Sequence, residues 1–217
     1  MSVSDFMTKD LVTVTPDVRI NDAVDLMKDH NIHRLPVVDN GRLVGLVTQG
    51  IIEAAMPSKA TSLSVYEVNY LLNKTTVQDV MEKSVLTIAP GALLEDAVYK
   101  MRHYNIGVLP VLSDADKLEG IITNNDIFNA FLDISGYSLG GTRVSVKINQ
   151  DEVGFLAKVG DALAQHHYNI LTLVVNRRPT EKIVQMHIDT TDSEGVQAAL
   201  EAAGFEVVQA ELSDAPR

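Results

Sequence analysis

Along this chain, apolar and polar positions spell out one short pattern twice. After Val3, "LVTVTP" is an extended apolar run, and Ile20, Ala23, Val24 and Met27 follow at i, i+3, i+4, i+7. That spacing predicts a helix with one apolar face. "RLPVV" and "LVGLVT" are apolar runs of strand length, and the "DNGR" between them carries the Asn-Gly of a tight hairpin. A second helix begins in "QGIIEAAM". The succession restarts at Val77, with "VLTIAP", then Leu94, Ala97, Val98 and Met101, then "VLPVL", "LEGIIT" and "NNDIFNAFL". Asp5/Asp79, Met7/Met81, Pro16/Pro90, Met27/Met101, Asn31/Asn105 and Pro36/Pro110 all coincide in one register. Self-similarity at a fixed offset means a structural unit used twice. Met27 and Met101 read as core filler, and Asn31 and Asn105 sit where a left-handed residue ends a helix. Each unit reads β-α-β-β-α and is small for a core of its own, so the two are expected to pack together. Between them, Val65, Val68, Leu71 and Leu72 have helical spacing and predict a short packed helix.

Beyond the second unit the pattern changes. "LDISGYSLGG" is rich in glycine and serine and marks a boundary. "TRVSVKI" alternates as a strand. Phe155, Leu156, Val159 and Leu163 predict a helix face. "YNILTLVVNR" and "EKIVQMHIDT" read as strands around an "RPT" hairpin loop. "DSEGVQAALEAA" is a helix closed by Gly204, and "FEVVQAEL" is a last strand. The order βαββαβ is the ferredoxin-like split βαβ. The fold class is therefore α+β.

The residues quoted from the two units resemble a tandem pair of CBS domains, a Bateman module, over roughly residues 1–133. The resemblance divides the chain into a first repeat at 1–60, a helical segment at 61–76, a second repeat at 77–133 and a linker at 134–141. It implies an adenosine-type ligand in the clefts between copies, held by a Gly-x-x-Thr/Ser-x-x-Asp pattern. "GIITNNDI" fits that pattern, with Thr123, Asn124 and Asp126. Thr123 at a helix N-terminus suits a phosphate, and Asp126 one turn later is an acceptor for ribose hydroxyls. The competing reading of the same two residues is a capping box, with Thr as N-cap and the acid at N3. In the first copy Thr48 lacks its acid, because position 51 is Ile51. Two unequal clefts are expected: a complete one at Thr123 and Asp126, and a degenerate one at Thr48. The resemblance also implies that Ser84, Val85, Gly107 and Val108 line the adenine pocket, with His33 and Arg34 at the matching positions of the first copy. An arginine there suits a phosphate, since its fork donates twice.

Residues 142–217, and "QDEVGFLAKVGDALAQHHYNI" in particular, resemble an ACT domain. Asp151, Gly154, Leu156, Asn169 and Ile170 fall on that family's motif positions, while Val153 stands where a proline is usual. The resemblance implies an amino-acid ligand near Gly154. The alternative is that Gly154 and Asn169 serve turn geometry and dimer packing. CBS repeats followed by an ACT domain, with "ATSLSVYEVNYLL" between the repeats, resemble the acetoin-utilisation (AcuB-type) proteins.

Composition narrows the function classes. Formal net charge is −11 over 217 residues, which disfavours a phosphate backbone as partner. Aromatic content is 5% with no tryptophan, which disfavours base-stacking surfaces. There are no cysteines, so disulfides, thiolate catalysis and Cys-type zinc sites are excluded. No apolar run reaches the ~18 residues of a membrane span, and the N-terminus has no signal-peptide apolar region. His166–His167 is the one adjacent histidine pair, and it reads as a solvated helix end. No P-loop, nucleophile elbow or dinucleotide glycine fingerprint is present. No catalytic residue, catalytic cofactor or metal site is expected. The reading is a cytoplasmic regulatory protein, homodimeric or larger. Its ligand would be AMP, ADP, ATP or S-adenosylmethionine, and its output would go to a protein partner not named by the sequence. The alternative class is a ligand-free interaction module that dimerises through both kinds of domain.

Overall fold

The computed structural model describes residues 1–55, 74–148, 153–177 and 181–213. Its contacts divide the chain into two units, Met1–Ile127 and Phe128–Arg217. The predicted helix at Val65–Leu72, the "RPT" loop and Asp151 lie outside the described residues.

The first unit holds both repeats. The first contains α1 (Val3–Phe6), α2 (Ile20–Asp29), β1 (Arg34–Asp39), β2 (Arg42–Thr48) and α3 (Gln49–Ala55). The second contains α4 (Val77–Val80), α5 (Leu94–Tyr104), β3 (Val108–Leu112) and β4 (Leu118–Thr123), followed by α6 (Asn124–Ile134). β1 pairs antiparallel with β2, and β3 with β4, and each pair slips register at the twin positions Val37/Val38 and Val111/Leu112. Asn40 (φ 48°) and Gly41 (φ 77°) form the predicted tight turn. Asn31 (φ 51°) and Asn105 (φ 53°) are left-handed, as the sequence predicts. Met27 and Met101 are both buried. The expected first strands are shorter than read. Each is reduced to one parallel bridge, Val14 to Val37 and Ile88 to Val111. Pro16 and Pro90, two residues on, have no N–H with which to extend the pairing.

The opening segments of the two copies are exchanged. α1 docks on the second copy, where Val3 N donates to Ala92 O at 2.9 Å and Thr8 pairs with Ile121. α4 docks on the first copy, where Val77 N donates to Val18 O at 2.8 Å and Glu82 pairs with Leu46. Val77 is wholly buried in a core with Val14, Ile20, Leu35, Val37, Val47 and Ile52. Each exchanged helix is short and carries its own cap. Ser2 N donates to Asp5 Oδ2 at 2.7 Å, and Thr76 N to Asp79 Oδ2 at 2.8 Å. These boxes are legible as Ser-x-x-Asp and Thr-x-x-Asp, and they hold both carboxyls below the ordinary carboxylate range through the backbone N–H first. The crossing chains run close to strand glycines. A Cβ on Gly45 would lie 3.1 Å from Glu82 O, and one on Gly120 would lie 2.9 Å from Thr8 O.

The second unit contains β5 (Gly141–Lys147), α7 (Phe155–Gln165), β6 (Ile170–Arg177), β7 (Lys182–Ile188), α8 (Ser193–Ala202) and β8 (Glu206–Ser213). The sheet order β6-β7-β5-β8 with antiparallel neighbours is the expected ferredoxin-like arrangement. Its core joins Val144, Val146, Val184, Met186 and Ile188 to Val159 and Leu163 of α7 and to Val196 and Leu200 of α8. Leu156 departs from the predicted face. It is 45% exposed, because the buried stripe runs through Val159, Ala162 and Leu163 and leaves Leu156 at its edge. His166 and His167 are both exposed.

Candidate functional site

The exchange of opening segments decides which residues share a cleft. β2 ends at Thr48, and the strand-like pairing of Leu46 with Glu82 brings the loop after α4 alongside it. Ser84 and Val85 therefore reach the first copy's threonine. They line a cavity of about 520 Å³ with Thr48, His33, Arg34, Gly107 and Val108. Thr123, Asn124 and Asp126 are not in its lining. The crossover puts Ser84 and Val85 on the Thr48 side of the pair, and the matching segment near Thr123 is supplied by the first copy, where Thr8 Oγ1 donates to Asp126 Oδ1 at 3.3 Å.

The two threonines are used differently. Thr123 N and Thr123 Oγ1 both donate to Asp126 Oδ2 at 2.7 Å, and Asp126 N returns a long bond of 3.4 Å to Thr123 Oγ1. This is a closed capping box, and the hydroxyl hydrogen of Thr123 is spent inside it. Thr48 Oγ1 accepts from Ile51 N at 3.2 Å. With no acid at position 51, its hydroxyl hydrogen stays available at the cavity wall. Gln49 is held at the mouth by His33 Nδ1 (2.9 Å) and by its own donation to Glu53 Oε1 (2.8 Å).

Arg34 and Gly107 stand at the centre of the pair. A Cβ on Gly107 would lie 2.9 Å from Arg34 Nη2 and 3.1 Å from Asn124 Nδ2, so both side chains occupy the space the glycine leaves. Partial burial pulls the Arg34 guanidinium down from its ordinary value, and the Asp126 carboxylate opposes that pull. The cation remains charged at any ordinary pH. On the other side, Glu82 Oε1 takes the Ser84 N–H at 2.7 Å and fixes the loop. The cavity lining therefore offers the Arg34 cation, the hydroxyls of Thr48 and Ser84 and an apolar floor from Val85, Ile106 and Val108.

In the second unit, Gly154 opens α7 with φ 90°, and a Cβ there would meet open space. Backbone handedness, not crowding, asks for glycine at this point. Asn169 O accepts from Asp189 N at 2.9 Å, and Ile170 packs on the core. Among the described residues, no group of histidine and carboxylate side chains could hold a metal ion. No described helix is long and apolar enough to cross a membrane.

This geometry defines a pair of α/β repeats that share clefts, joined to a ferredoxin-like unit. The chain belongs to the CBS-domain family: the CBS domain model matches residues 3–57 and 77–133, and the ACT domain model matches residues 142–205. Among solved structures, a Vibrio cholerae protein assigned to acetoin utilization (AcuB) is 32% identical. It covers 63% of this chain and 93% of its own, with a TM-score of 0.53. CBSX2 from Arabidopsis thaliana in complex with AMP is 32% identical, with a TM-score of 0.51, covering 62% of this chain and 98% of its own. The CBS pair of protein MJ0100, in complex with 5-methylthioadenosine and S-adenosyl-L-methionine, is 30% identical over 60% of this chain and 95% of its own (TM-score 0.51). The CBS domain-containing protein YhcV of Bacillus subtilis is 32% identical over 126 residues, 58% of this chain and 82% of its own. The L-aspartate semialdehyde sulfurtransferase of Methanocaldococcus jannaschii is 31% identical over 59% of this chain, which spans only 23% of that enzyme's length.

Proposed function

We propose that this chain is a non-catalytic regulatory protein that binds an adenosine-type ligand in the cavity at Thr48. The observation that carries the reading is the cavity of about 520 Å³ between the copies, with Arg34 and Thr48 on its wall. Arg34 and the Thr48 hydroxyl suit a phosphate or another anionic group, and the Val85, Ile106 and Val108 floor suits a flat ring. Gly107 and Val108 supply a backbone edge for that ring. AMP, 5-methylthioadenosine and S-adenosylmethionine in related CBS pairs support the ligand class. The output is a metabolic protein partner, and the likeness to the Vibrio cholerae protein supports acetoin or butanediol catabolism as its setting. We read the chain as cytoplasmic and at least dimeric. Exposed Leu171, Leu173 and Leu212 on the outer strands β6 and β8 support self-association. An amino-acid ligand at Gly154 of the ACT domain belongs to the same reading.

A second reading applies to the other cleft. Asp126 Oδ2 takes both the N–H and the hydroxyl of Thr123, which favours a structural role there and a single adenosine site. The test is a melting screen of the full chain with AMP, ADP, ATP and S-adenosylmethionine. A ligand present at about 100 times its dissociation constant stabilises by roughly 2.7 kcal/mol. No shift with any of the four would leave the interaction-module class in its place.

A further inference from the structure

A second cavity, of about 390 Å³, lies on the sheet of the C-terminal unit. Two cross-strand rows form its floor. Arg143, His187 and Thr172 stand side by side, and so do Ser145, Gln185 and Val174. By strand alternation these residues face away from the core that Val144, Val146 and Val184 make with α7 and α8. Phe131 and Leu132 of α6 and the turn that follows make the other wall. Thr172 Oγ1 ties that turn down by donating to Ser135 O at 3.5 Å.

The floor holds an unexplained group. His187 is 2% exposed, and among the described residues neither ring nitrogen has a hydrogen-bond partner. Gly136 (φ 68°) passes so close that a Cβ on it would lie 3.1 Å from His187 Nδ1. Buried polar atoms are almost always paired, so an imidazole with both nitrogens idle points to a ligand. Its cross-strand neighbour Arg143 stacks its guanidinium over the Tyr137 ring at 5.6 Å and makes no ion pair among the described residues. Glu211, opposite Arg143 on β8, does not line the cavity.

We propose that this cavity binds a small carboxylate with a keto or hydroxyl oxygen at carbon 2 and a short aliphatic body. The Arg143 fork takes the carboxylate. His187 stands about 5 Å away in cross-strand spacing; its ring nitrogens are covered in the free chain, so a ligand oxygen one bond from the carboxylate meets them by displacing the turn at Gly136 that closes over them. Phe131, Leu132 and Val174 enclose the aliphatic body. A 2-amino group is disfavoured, because the described residues of the lining include no Asp or Glu to pair with an ammonium. The inference is independent of the adenosine site, which lies in the other unit.

Three probes share one carbon skeleton and separate the classes: 2-oxoisovalerate, 2-hydroxyisovalerate and L-valine. Each is titrated at millimolar concentration into the full chain, with calorimetry and melting as readouts. The oxo or hydroxy acid is expected to bind at least about tenfold more tightly than L-valine, and Arg143→Gln to weaken that binding by about tenfold or more. His187→Phe is expected to remove the preference for the carbon-2 oxygen without lowering the melting temperature of the free protein. A cavity that holds only water would show no response to any of the three, and that result overturns the proposal. L-valine binding as tightly as the oxo acid, or Arg143→Gln binding as well as the parent chain, would overturn it too.

Discussion

The two CBS copies share one backbone and use one threonine in opposite ways. In the second copy Thr123 gives its hydroxyl hydrogen to Asp126, and the helix start is closed upon itself. In the first copy Thr48 faces Ile51, and its hydroxyl is left for the cavity. The motif that is complete by sequence closes its own cap in the free chain, while the motif that has lost its acid keeps a donor free. A ribose- or phosphate-binding pattern and a capping box are the same residues. Only the hydrogen-bond partners tell them apart.

The largest expected effects test whether the copies are packed alike. Leu35 and Leu109 are twin, fully buried positions. Leu35→Ala and Leu109→Ala should each cost about 2–5 kcal/mol in denaturant melts. A much smaller cost at one of them would show that its copy is the looser. Next come the crossover glycines. Gly120→Ala and Gly45→Ala each bring a Cβ against backbone and should cost about 1–3 kcal/mol by overpacking. Gly120 should suffer more, since its Cβ would stand at 2.9 Å against 3.1 Å.

Two substitutions act on the caps themselves. Asp126→Asn opens the closed box and should cost about 0.5–2 kcal/mol of stability. Ile51→Asp gives Thr48 the missing acid, which should capture its hydroxyl hydrogen and weaken adenosine-ligand binding. Unchanged affinity in Ile51→Asp would break the claim that the free hydroxyl matters. The smallest effect is in pH. Asp5 and Asp79 have folded pKa values below their unfolded ones, so their stability contribution is present above the unfolded carboxylate pKa. It is lost as acidification passes through the lowered folded values. Asp5→Asn and Asp79→Asn should each flatten the acid limb of a melting-against-pH curve. An unchanged limb would show that the boxes do not hold the exchanged helices.

Much of the fold could be read from the sequence, because its elements are set by local residues. The apolar stripes, the Asn40–Gly41 turn and the left-handed Asn31 and Asn105 each depend on a few neighbouring positions. The βαββαβ order of the C-terminal unit was legible for the same reason. The crossover was not, because α1 and α4 are capped locally but docked by pairing with residues far along the chain. Gly45 and Gly120 were the available hint, since a glycine inside a strand marks close backbone approach. The site was half legible. His33, Arg34, Thr48, Ser84, Val85, Gly107 and Val108, named from the sequence and its family resemblance, line one cavity, while Thr123, Asn124 and Asp126 do not, and that division depends on the crossover. His187 gave no warning. In "VQMHI" it occupies an outward strand position, and it is buried only because the turn at Gly136 closes over it.

The central claim is that the adenosine ligand sits at Thr48 and not at Thr123 and Asp126. Calorimetric titration of AMP and S-adenosylmethionine into the parent chain, Thr48→Val and Asp126→Asn tests it most directly. The account predicts one site per chain, with affinity about ten- to hundredfold weaker in Thr48→Val and unchanged in Asp126→Asn. Loss of binding in Asp126→Asn with none in Thr48→Val would contradict it.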